Sequence, residues 1–206
     1  MPKKEAHISQ LQRFLPPNTY EVVLHYLHFY RVHLVIAQER KSLLGDYRHR
    51  THYFNHRISV NGNLNKYSFL ITLLHELGHL LTFERFGKVQ SHGREWKYIF
   101  GLLLHQFITQ NIFPEDIQAA LLRSLNNPAA SSCADDVLLR VLRKYDDCNK
   151  MILLENIPEG AFFKTQDGKV FRKGDQLRKR FRCEEVTTRK MYLFSPVYEA
   201  EVIKCE

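Results

Sequence analysis

From Ser68 to Phe86 the chain reads SFLITLLHELGHLLTFERF, and no other stretch restricts its fold so tightly. The run is apolar on every side of a 3.6-residue period, which predicts a buried helix from about Tyr67 to Phe86. Gly87 suits the left-handed conformation that closes a helix. Three polar residues, His75, Glu76 and His79, interrupt the run. Left unpaired in such surroundings they would cost about 1 to 3 kcal/mol each, so their presence asks for a partner. Histidines four apart project from one helix face and can reach one tetrahedral zinc ion. Glu76 then stands beside the ion instead of ligating it, positioned as general base for an activated water. The spacing predicts His75 and His79 as ligands of a single zinc and Glu76 as the catalytic residue of a hydrolase.

A catalytic zinc takes a third protein ligand and keeps one position open. The HExxHxxGxxH pattern would need glycine and histidine where this chain has Thr82 and Arg85, so that class is excluded. Glu84, His92, Glu95 and His105 remain as third-ligand candidates. His92 is favoured because Ser91-His92-Gly93 sits in the turn before the next helix, which can fold back antiparallel to the first. Glu95 is the runner-up, since two histidines plus a glutamate also make a good zinc site.

The remaining elements follow from periodicity and punctuation. After Pro16 and Pro17, Asn18 or Thr19 can cap a helix over TYEVVLHYLHFYRV. HLVIAQER and HRISVNG read as strands, the second closed by an Asn-Gly-Asn turn. Helices are expected from Arg94 to Phe107, Pro114 to Leu125 and Ala134 to Lys144, the last two separated by NNPAASS. Beyond Met151 turn pairs at Pro158 to Gly160, Asp167 to Gly168 and Lys173 to Asp175 punctuate the short β-type runs AFFK, KRFRCEEV and KMYLF. The expected organisation is a main domain over 1–150 and a small all-β appendage over 151–206, giving an α+β fold class.

HELGH, twelve residues, then HGREW resembles the SprT-like family of zinc metallopeptidases, and GDYRHR to RISVN resembles that family's basic strand pair. The resemblance covers roughly residues 15–110. It implies a zincin-like, mainly helical domain with a small antiparallel sheet, a His75, His79 and His92 zinc site, Glu76 as base, and Trp96 packed behind the site. The substrate it implies is protein or peptide, in some members protein crosslinked to DNA. Many members end in a zinc ribbon of two cysteine pairs. Here RKGDQLRKRFRCEEVTTRKMYLF resembles the second half of one, but only Cys183 is present and Val186 stands where its partner would be. A degenerate, metal-free β appendage is expected.

A net charge of +8 favours anionic partners. Between Phe171 and Lys190 eight basic residues face three acidic ones, with Phe171 and Phe181 among them, a combination that could track nucleic acid. The competing reading is accordingly a non-catalytic zinc module that binds nucleic acid through this basic surface. His49, His52 and His56 read as strand or loop residues, and Cys133, Cys148, Cys183 and Cys205 as reduced packing thiols. The first residues lack a signal-peptide h-region and no stretch reaches the roughly 20 apolar residues of a membrane span. A cytoplasmic protein without membrane contact is the expectation.

Overall fold

The computed structural model describes residues 8–40, 43–125, 135–146 and 151–203. The chain divides into two compact units, Met1–Asp146 and Asp147–Glu206. The NNPAASS stretch and three of the cysteines, Cys133, Cys148 and Cys205, lie outside the described residues. No helix among the described residues is long and apolar enough to cross a membrane.

The first unit opens with a 3-10 segment, Ile8–Phe14, and helix α1, Tyr20–Phe29. Thr19 precedes α1, but its hydroxyl donates back to the Pro16 carbonyl at 2.7 Å and caps no helical N–H. Strands β1 (His33–Ala37), β2 (Gly45–Arg48) and β3 (Arg57–Asn61) form a sheet in the order β1-β3-β2. The expected sheet was antiparallel. The observed one is mixed, because β1 runs parallel to β3 and only β2 is antiparallel to it. Nineteen residues, 38–56, join β1 to β3, long enough for the crossover that a parallel pair requires.

Helix α2 spans Lys66–Phe86. Asn65 caps it, accepting from the amides of Tyr67 and Ser68 while its own amide group donates to the Leu142 carbonyl at 3.1 Å. Gly87, at φ 72°, closes it. Eleven α2 residues are buried, among them Phe69, Leu70, Leu73, Leu74, Leu77 and Leu80, so the helix runs through the core as its all-round apolar character requires. Helix α3, Arg94–Thr109, returns against it, burying Trp96, Phe100, Leu103, Leu104 and Phe107. Gly78 makes that approach close: a side chain there would meet Trp96 at 3.2 Å and Phe100 at 3.3 Å. Helices α4 (Glu115–Ser124) and α5 (Asp136–Leu142) complete the unit, with Ile117, Leu121, Leu138 and Leu142 in the same core. Among the described residues five α-helices and two sheets give an α+β fold.

The second unit is a six-stranded sheet in the order β4-β9-β5-β6-β7-β8, its strands being β4 (Ile152–Leu153), β5 (Phe162–Lys164), β6 (Val170–Leu177), β7 (Arg180–Glu185), β8 (Met191–Phe194) and β9 (Glu199–Ile203). Lys173 to Asp175, read from the sequence as a turn, lies inside β6. There the register with β7 shifts, and Gly174 passes so near the Arg182 carbonyl that a Cβ would lie 2.5 Å from it. The turn-forming residues make a bulge instead of a reversal. Buried Lys173 donates from Nζ to the carbonyls of Leu154 at 2.7 Å and Ile157 at 2.5 Å and lies 3.9 Å from the Phe181 ring centroid. Its ammonium thereby ties the 154–157 turn to the sheet.

Candidate metal centre

His75 and His79 lie one helical turn apart on α2, and His92 reaches them from the loop that joins α2 to α3. Their Nε2 atoms form a triangle with edges of 3.1 Å (His75 to His92), 3.2 Å (His75 to His79) and 3.0 Å (His79 to His92). Hydrogen bonds alone cannot account for this triangle. The Nε2 of a neutral imidazole is either donor or acceptor, so at least one of the three edges sets like against like. A cation at the centre satisfies all three nitrogens at once. Three imidazole nitrogens on a tetrahedral ion at about 2.0 to 2.1 Å stand about 3.3 Å apart, close to the separations found. Among the described residues this is the one cluster of its kind.

Burial prepares the histidines for that role. Desolvation, with help from the neighbouring rings, pushes His75 down to about 3 and His79 down to about 4, and desolvation also lowers His92. All three are therefore neutral at pH 7, the form that ligates metal. Trp96 forms the floor beneath them, its ring centroid 4.7, 5.3 and 4.7 Å from those of His75, His79 and His92. Its indole N–H is buried without a hydrogen-bond partner among the described residues, a cost of about 1 to 3 kcal/mol accepted where the ring packs on the cluster.

His92 adopts φ 57°, a left-handed conformation that costs a non-glycine residue about 1 kcal/mol or more. Gly93 follows in extended geometry, and a side chain on it would meet the Gln90 carbonyl at 3.0 Å. The tight Gln90 to Gly93 turn directs His92 to the cluster. Ser91 Oγ lies 3.4 Å from His92 Nδ1, leaving Nε2 for the triangle. The other third-ligand candidates are elsewhere. Glu95 lies in the first turn of α3 and outside the cluster, and His105 is exposed on α3.

Glu84 serves a different network, which the sequence did not reveal. His56, 2% exposed, has Nε2 3.3 Å from Glu84 Oε1, and Arg50 donates to Glu84 Oε2 at 3.2 Å. His56 Nδ1 accepts from the Arg50 amide at 3.3 Å and faces the Tyr47 hydroxyl at 2.9 Å. With Nδ1 accepting, the ring proton resides on Nε2 and faces Glu84. Tyr47 is thereby fixed on β2, nearly parallel to His79 with ring centroids 6.4 Å apart. Both line a cleft of 520 Å³ bounded by Asp46 and His49 from the β2 side, by Thr82 and Phe83 of α2, by the 87–91 loop and by Trp96.

Glu76, one residue on from His75 and about 60° around the helix from His79, lies next to Gly45 of β2 and is 6% exposed. Desolvation, reinforced by Asp46 and opposed by Arg40, pushes its carboxyl up to about 8. Two aromatic residues and one of the basic residues between Phe171 and Lys190 are taken up by packing within the second unit. Phe171 is buried against Phe163, and Phe181 lies beneath Lys173. Cys183 is buried in the core of the second unit.

The sequence model of the SprT-like family matches residues 16–111. Protein SprT of Shewanella oneidensis is 39% identical over 62 residues, 26% of this chain and 40% of the relative. Protein SprT of Proteus mirabilis is 36% identical over 72 residues, 30% and 43% respectively. That of Pectobacterium atrosepticum is 52% identical over 31 residues, 15% and 18% respectively. The chain thus spans less than half the length of these curated relatives. No solved structure matches. Residues 16–111, the stretch that carries all three histidines and Glu76, are thus the part of the chain that is similar to the SprT-like family.

Proposed function

We propose that the chain is a zinc-dependent metallopeptidase of zincin type, with one zinc held by His75, His79 and His92 and with protein or peptide as substrate. The observation that carries the reading is the Nε2 triangle of three partly buried, neutral imidazoles, with the buried Glu76 directly after His75. Zinc prefers imidazole nitrogen and, with three protein ligands, acts as a Lewis acid that polarises a carbonyl and acidifies water.

The chain's own residues supply the rest. Glu76 takes the proton of the attacking water on a carboxylate oxygen and delivers it to the departing amine nitrogen. Because burial favours the protonated acid, a neighbouring divalent charge is what brings the carboxylate form into the working range. The cleft flanked by Tyr47, His79 and Phe83 receives the polypeptide beside the centre, and Trp96 closes the floor against water. The matching experiment measures zinc per chain and cleavage of fluorescein-labelled casein, an unfolded protein. One zinc per chain and cleavage abolished by a chelator and restored by zinc support the reading. Zinc bound at full occupancy without any cleavage of casein contradicts it.

A further inference from the structure

Gly45 is the first residue of β2, paired opposite Val60 of β3, and nothing in its backbone demands glycine. Its φ is not among the positive values found at Gly87, Gly160 and Gly168. Alanine in such a strand position would ordinarily be the better residue, by about 0.5 to 1 kcal/mol. The space around it gives the reason for glycine. A Cβ there would lie 2.6 Å from Glu76 Oε1, 2.9 Å from Glu76 Cγ and 2.8 Å from Thr72 Cγ2. Thr72 sits one helical turn before Glu76 and is itself buried, so the glutamate side chain is hemmed between the helix face and the strand.

We propose that Gly45 is the positioning residue for the general base: the space left by its missing side chain is the seat in which the Glu76 carboxylate lies. The proposal rests on the peptidase reading for the word base, but the steric claim stands apart from it. A methyl group at position 45 forces the carboxylate out of its seat while leaving the three histidines, on α2 and the loop after it, as they are. Displacement of a reacting group by about 1 Å costs on the order of a hundredfold in rate. Substrate binding in the cleft beside His79 does not depend on that seat.

The test uses the full zinc-loaded chain and fluorescein-labelled casein. Gly45→Ala is expected to lower kcat by about a hundredfold, with KM changed less than about twofold and zinc content unaltered. Adding Thr72→Ser, which clears the methyl contact alone, should not restore kcat. Thermal unfolding supplies the second arm. Gly45→Ala should lower Tm in the parent chain and should not lower it when Thr72→Ser and Glu76→Ala together remove all three close atoms, a coupling expected only of groups in contact. The proposal is overturned by a kcat within about threefold of the parent, by restoration of kcat with Thr72→Ser, or by equal Tm losses in both backgrounds. If the parent chain cleaves no casein, the peptidase reading falls, and the unfolding arm alone decides whether Gly45 makes room for Glu76.

Discussion

Replacing Glu76 by glutamine should make the metal-free protein more stable at neutral pH. The carboxyl is pushed up to about 8 from an ordinary value of 4.5 by burial. Between those values the native state holds a proton that the unfolded chain releases, so stability falls as pH rises through the window. Each pH unit is worth about 1.4 kcal/mol. At pH 7 the unfolded carboxyl is about 2.5 units above its pKa, whereas the native one is still mostly protonated, a native-state penalty of about 3 kcal/mol. At pH 5 the same arithmetic leaves less than about 1 kcal/mol. Glutamine keeps the shape and removes the titration. In chelator-treated samples Glu76→Gln should raise Tm at pH 7 by on the order of 10 °C for a unit of this size, and by only a few degrees at pH 5. An equal shift at both values, or none at pH 7, would refute the claim that the carboxyl is held in a site that disfavours its charge.

Three other outcomes follow from the geometry. His92→Ala should lower zinc affinity by at least about tenfold in a chelator competition, while Glu95→Ala leaves it unchanged, because only His92 enters the Nε2 triangle; the reverse order would assign the third ligand to α3. His56→Leu should destabilise the first unit by about 2 to 4 kcal/mol in urea unfolding, since it leaves Tyr47 and Glu84 without their shared partner; a loss under about 0.5 kcal/mol would show the network to be dispensable. Lys173→Met should destabilise the second unit by about 2 to 4 kcal/mol, because the Leu154 and Ile157 carbonyls lose a charged donor; retained far-UV circular dichroism with an unchanged unfolding midpoint would count against the ammonium as a tie.

The α2 helix and its two histidines were legible because a local period and a local cost coincide. An apolar run fixes the helix, and polar residues inside it must be compensated. His92 was legible as the favoured of four candidates, from its place in the turn before the next helix, while the left-handed backbone that brings it in is not announced by composition. Strand β2 was legible only through the family resemblance of GDYRHR, not through its own pattern. GDYR has neither alternation nor β-branched residues, and it is a strand because β3 pairs with it and α2 packs on it. Gly45 and the Tyr47, His56, Glu84 network are invisible for the same reason: their meaning lies in contacts between distant segments. The bulge at Gly174 misled in the opposite direction, because turn-forming residues also serve where one strand crowds another.

The role of Glu76 as base at an intact zinc site has one direct test. Zinc-loaded Glu76→Gln, with metal content measured on the same sample that is assayed, should bind one zinc per chain and cleave fluorescein-labelled casein at least about a hundredfold more slowly than the parent. Cleavage at the parent rate with the zinc fully bound would contradict it.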